Sequence, residues 1–152
     1  MSITPEWISA ITSSIAAGGV LLAFQQLLLS KNIAQLDFED GLAKEYREFI
    51  GDRNLPARAL LGKVLTDAEY EKAFDELFRY IDLTNTQISL RQKKRIGKET
   101  WQSWSSGIQV NLGLPAFERA WTEIKSNSTH FAELRRLEKD GFKGDPADWK
   151  NA

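Results

Sequence analysis

Hydrophobic and polar positions divide this chain into two unlike parts. From Trp7 to Ser30 there are 24 consecutive uncharged residues, WISAITSSIAAGGVLLAFQQLLLS, diluted by Ser9, Thr12, Ser13, Ser14, Gln25 and Gln26. At 1.5 Å per residue, a helix of that length spans about 36 Å, enough to cross a ~30 Å hydrocarbon core with some tilt. Thr4 can cap its start, Pro5 suits the first helical position, and Glu6 complements the positive end of the helix dipole. The segment therefore predicts a transmembrane helix. A cleaved signal peptide fits poorly, because no basic region precedes the apolar stretch and Leu27, Leu28 and Leu29 extend it past any cleavage site. A buried core helix would be unusually long without a charge.

Beyond Lys31 the pattern changes to one apolar stripe per helix. Phe38, Leu42, Tyr46 and Phe49 recur at i, i+4, i+8 and i+11, with acids on the opposite face. The first helix is thus predicted to run from Pro5 to Ile50, about 69 Å, with Gly41 as its weak point. Gly51 suits a left-handed C-terminal cap. A short apolar helix over Pro56 to Leu65 follows. Thr66-Asp67-Ala68-Glu69 is a capping box, so a helix starts there and reaches about Arg91, burying Tyr70, Phe74, Leu77, Ile81 and Ile88. A basic hinge containing Gly97 leads to a helix from Lys98 to Asn111, with Trp101, Trp104 and Ile108 inside. Pro115 opens the next helix, which buries Phe117, Trp121 and Ile124. Thr129 is the expected cap of a last helix carrying Phe131, Leu134 and Leu137. Residues 140–152 read as a tail whose Trp149 can dock back. No alternating strand pattern appears, so the fold class is all-α.

Composition narrows the chemistry. The chain has 152 residues, room for one domain, and a net charge of −1, which gives no global basic field for nucleic acid. It has no cysteine and one histidine, His130. Disulfides, thiolate metal sites and Cys nucleophiles are excluded, as is any site needing two imidazoles. All 20 Lys and Arg lie after Ser30. Residues 1–6 carry none, whereas Lys31, Lys44 and Arg47 follow the uncharged segment. The excess of cations on that side places the N-terminus outside and the remainder in the cytoplasm.

Within the first helix, Ala10, Ser14 and Gly18 recur every four residues and share a face, with Ser13 and Ala17 beside them. Small residues at this spacing let a second helix approach closely. The candidate partner is another membrane protein or a second copy.

The residues from Phe74 onward carry a resemblance. Phe74, Leu77, Asp82, Asn85, Arg91, Ile96, Lys98-Glu99-Thr100-Trp101, Trp104, Gly107-Ile108, Asn111, Pro115, Phe117 and Trp121 are followed by Phe131-Ala132-Glu133-Leu134-Arg135. This pattern resembles a widespread group of small uncharacterised bacterial membrane proteins. The resemblance implies one N-terminal transmembrane helix, a cytoplasmic helical domain and a bacterial source. It implies no activity. Gly97 departs from the pattern, where a stronger helix cap such as Ser is expected.

Candidate sites are few. Arg91, Lys93, Lys94, Arg95 and Lys98 put five cations in eight residues. Near a membrane, each gains up to about 1 kcal/mol from anionic headgroups, and the run would equally suit an acidic partner. The alternative is a solvated hinge whose cations favour a helix C-terminus. Asp82 and Asn85 share a helix face with Ser89, forming a possible polar cluster for a ligand or a patch that fixes helix packing. His130 lies among capping residues and lacks a base or nucleophile beside it.

The expectations are therefore these: a transmembrane anchor over residues 1–30, a cytoplasmic helical domain over 31–139, and a tail over 140–152. The protein is expected to be a non-enzymatic, single-pass accessory subunit in a bacterial inner membrane. Its partners are membrane lipids and a membrane protein or itself, not nucleic acid, and no cofactor or metal is expected. The alternatives are a self-associating membrane effector or channel-like assembly, and a small-molecule sensor.

Overall fold

The computed structural model describes residues 6–51 and 55–150, with side chains from residue 22 onward except that of Ile50. Among the described residues there are six α-helices, one 3-10 turn and no strand, an all-α fold. The helices are α1 (Glu6–Ile50), α2 (Ala57–Leu60), α3 (Asp67–Gln92), α4 (Lys98–Leu112), α5 (Pro115–Asn127) and α6 (Ala132–Lys139), with the 3-10 helix at Pro146–Asp148. The chain forms two compact units, Met1–Phe38 and Glu39–Ala152.

The first unit is the greater part of α1. Its described side chains are largely exposed: Leu27 is 67%, Leu28 46% and Leu29 61% accessible, and Leu22, Phe24, Ile33 and Leu36 are open as well. Among the described residues, no helix is long and apolar enough to cross a membrane. The bilayer-crossing character expected of Trp7–Ser30 is thus not a property of any described helix. The side chains of Ala10, Ser13, Ser14, Ala17 and Gly18 lie outside the described residues.

The second unit is a bundle built on α3. The capping box at its start is complete: the Glu69 amide donates to Thr66 Oγ1 at 3.3 Å, and the Thr66 amide donates to Glu69 Oε2 at 2.8 Å. Thr66 is the main reason that the Glu69 carboxyl sits below its ordinary value. One face of α3 buries Tyr70, Leu77, Tyr80, Ile81, Thr84 and Ile88, against which α5, α6 and the 3-10 helix pack. The last turns of α1 add Leu42 and Phe49, while Phe38 at the head of the expected stripe stays exposed. Phe49, Tyr80 and Phe117 form the aromatic centre. Tyr80 lies 5.3 Å from Phe49 and 5.0 Å edge-on from Phe117, in the geometry aromatic quadrupoles favour.

Helix ends show where local signals held and where they did not. Pro115 opens α5 as expected. The helix expected over Pro56–Leu65 is only the single turn Ala57–Leu60, because Gly62 turns the chain at φ 72°. Gly51 does not adopt the left-handed conformation expected of it. Thr129 is exposed and does not cap α6. Phe131 precedes that helix instead, at φ 64° with no side-chain cap of its own. The segment expected as a tail contains the 3-10 helix with Pro146 buried, and Trp149 packs against the core.

Candidate functional site

The basic run is split by the fold. Lys93, Lys94, Arg95 and Lys98 are exposed, but Arg91 is buried and turned inward. Its Nε and Nη2 donate to the two carboxylate oxygens of Asp145 at 2.8 and 2.6 Å, and Nη1 donates to the Ile96 carbonyl at 2.8 Å. These hydrogen bonds hold the Asp145 carboxyl below, and the Arg91 guanidinium above, their ordinary values. Arg91 therefore fastens the C-terminal segment to α3 and is not a surface contact, which corrects its expected role. The remaining cations surround a helix terminus. The Lys94 amide donates to the Arg91 carbonyl and the Arg95 amide to the Leu90 carbonyl. This is the paired pattern of a Schellman turn. Lys94 stands at φ 58° in the position glycine usually takes.

The Asp82, Asn85 and Ser89 cluster also resolves into structure. Asp82 is exposed and Ser89 half-buried. Asn85 Oδ1 accepts the Leu134 amide at 3.0 Å and its Nδ2 donates to Glu133 at 3.1 Å. Asn85 thus caps α6 from across the bundle, supplying what Thr129 does not. No shared polar site forms from the three residues. His130 is exposed beside Phe131.

A pocket that the sequence reading did not single out lies between the last turns of α1, α3 and α4. Its volume is about 240 Å³, and its walls include Tyr46, Tyr80, Gln87, Trp104, Gly107 and Asn111. Asn111 Nδ2 donates to both tyrosine oxygens, at 3.2 Å to Tyr46 and 3.1 Å to Tyr80. Burial pushes the Tyr80 phenol up to about 12 against the opposing effect of the Asn111 donor. Thr84 also lies near enough to favour the phenolate, yet its buried hydroxyl is out of hydrogen-bonding geometry. The available sequence signal was the run Tyr80, Thr84, Gln87: polar groups at helical spacing on the face of α3 that also carries Leu77, Ile81 and Ile88.

No family model, characterised protein or solved structure matches the chain.

Proposed function

We propose that this protein is a non-enzymatic, membrane-anchored interaction protein, an accessory subunit of a larger bacterial membrane complex. In this reading the Trp7–Ser30 segment of α1 crosses the inner membrane with the N-terminus outside, and the helical domain faces the cytoplasm. One observation carries it: α1 is continuous from Glu6 to Ile50, opens on 24 uncharged residues, and leaves Leu27, Leu28 and Leu29 exposed in succession. Successive residues sit about 100° apart around the axis, so these leucines cover most of the helix circumference rather than one stripe. Gln26 and Ser30 interrupt the remaining sector, and an apolar surface this wide suits the apolar surroundings that a bilayer supplies. Lys31, Lys44 and Arg47 on the following turns favour the cytoplasmic side for the C-terminal end. The interaction role is supported by the small-residue face at Ala10, Ser14 and Gly18, and by charged groups such as Arg91, Asp145 and Glu39 being engaged in holding the bundle together.

Purification from native membranes in mild detergent, followed by mass spectrometry, tests the reading. A different membrane protein recovered in fixed ratio is the expected result. Recovery alone at a multiple of 17.2 kDa would replace it with self-assembly through the same face. Release of the protein into the soluble fraction by alkaline carbonate would overturn the membrane anchor.

A further inference from the structure

We propose that the pocket between α1, α3 and α4 binds an uncharged heteroaromatic molecule of one or two rings, with a hydrogen-bond donor and acceptor side by side on one edge. The pocket is built wholly from residues 43–111 and needs no membrane anchor.

Its size sets the scale. A cavity of about 150 Å³ takes benzene, and drug-sized ligands fill pockets of roughly 300 Å³ or more. The volume here, about 240 Å³, lies between them and fits one or two rings. Three aromatic residues, Tyr46, Tyr80 and Trp104, line it, which suits a planar guest. Among the described residues no Asp, Glu, Lys or Arg lines it, so a charged ligand would be desolvated without a counterion.

Its polar groups set the chemistry. Gln87 is only 6% exposed and lines the pocket, yet its carboxamide has no hydrogen-bond partner among the described residues. Neither of its amide atoms is sealed from solvent, so both stay open to a guest in the pocket. A carboxamide presents a donor beside an acceptor, the arrangement that pairs with the matching edge of a nitrogen heterocycle. The tyrosine hydroxyls extend the match. Each oxygen already accepts from Asn111 Nδ2, which leaves each hydroxyl hydrogen free to donate. Asn111 Oδ1 remains as an acceptor. Gly107 completes the wall, and a Cβ placed there meets nothing within 4 Å. The position therefore leaves room that a larger residue would take.

The test uses the full chain in lipid nanodiscs, with adenine and 2-aminopyrimidine as neutral probes and benzoate and benzamidine as charged controls of similar size. Saturation-transfer NMR reports binding, and the indole resonance of Trp104 reports its place. Both neutral probes should bind saturably and shift Trp104, and the charged controls should not. Gln87→Leu should weaken the neutral probes by about tenfold, the loss of one to two hydrogen bonds. Gly107→Leu should abolish binding without lowering the melting temperature, because glycine is the poorer helix former. Absence of saturable binding at millimolar probe would overturn the proposal. So would binding that survives both substitutions, or equal binding of neutral and charged probes.

Discussion

The carboxylate of Glu39, near the end of α1, accepts the backbone amide hydrogen of Gly97 at 2.7 Å and the Thr100 hydroxyl with its other oxygen. Gly97 is the N-cap of α4 and has no side chain with which to cap it. Glu39 supplies that cap from 58 residues earlier. Its charge also complements the positive end of the α4 dipole. The missing Ser at position 97 is therefore compensated by a buried acid on another helix.

Removing this carboxylate should be costly and repairable. Glu39→Ala should destabilise the domain by about 1–2 kcal/mol, the usual cost of a lost cap and its hydrogen bonds. Gly97→Ser should recover part of that loss, because residue 97 already has the extended backbone of an N-cap, at φ −66° and ψ 159°. Thermal unfolding of the single and double variants measures both effects. Additive losses with no rescue would count against the trans-cap.

The Arg91–Asp145 pair should fix the C-terminal segment in a pH-dependent way. Both partners are mostly buried, at 10% and 23% side-chain exposure. Leaving either alone should cost about 2–4 kcal/mol. Asp145 titrates below its unfolded value when folded, so its contribution is complete above the ordinary Asp value of about 3.9 and is lost as pH falls through the folded value. The stability gap between the native chain and Asp145→Asn should accordingly be constant near neutrality and shrink below about pH 4. Urea titrations at a series of acidic pH values read this directly, and Trp149 fluorescence reports whether the segment undocks.

Asn85 and Thr129 make opposite predictions about one helix end. Asn85→Ala should cost about 1–2 kcal/mol and speed amide exchange at Leu134. Thr129→Ala, at an exposed position outside the cap, should stay within about 0.5 kcal/mol of the native chain. A reversal of that order would restore Thr129 as the cap.

Lys94 separates stability from surface charge. Lys94→Gly should stabilise the domain by about 1 kcal/mol, since a left-handed backbone is strained for any residue with a Cβ. Reversing Lys93, Lys94 and Arg95 to Glu tests the exposed cations. In nanodiscs with anionic lipid, exchange at residues 93–98 should be slower than in neutral lipid, and the triple reversal should erase the difference. No lipid dependence in the native chain would reduce the basic run to a helix terminus.

Sequence by itself determined the elements whose causes are local. The 3.6-residue stripes, the Thr66–Glu69 box and Pro115 at a first helical turn each act within a few residues, so the all-α fold, the bounds of α3 and α4 and the start of α5 were legible. The uncharged run Trp7–Ser30 was legible for the same reason. Only the tertiary structure decided which polar residues serve which helix. Glu39 caps α4, Asn85 caps α6 and Asp145 holds Arg91, across separations of 58, 49 and 54 residues. No periodicity encodes such pairs, because a cap needs only an oxygen at the helix end and is indifferent to where along the chain that oxygen originates. The pocket escaped the sequence for a related reason. Gln87 and Asn111 read as ordinary polar positions until the packing of α1 and α4 on α3 brings them to one cavity and leaves one amide without a partner.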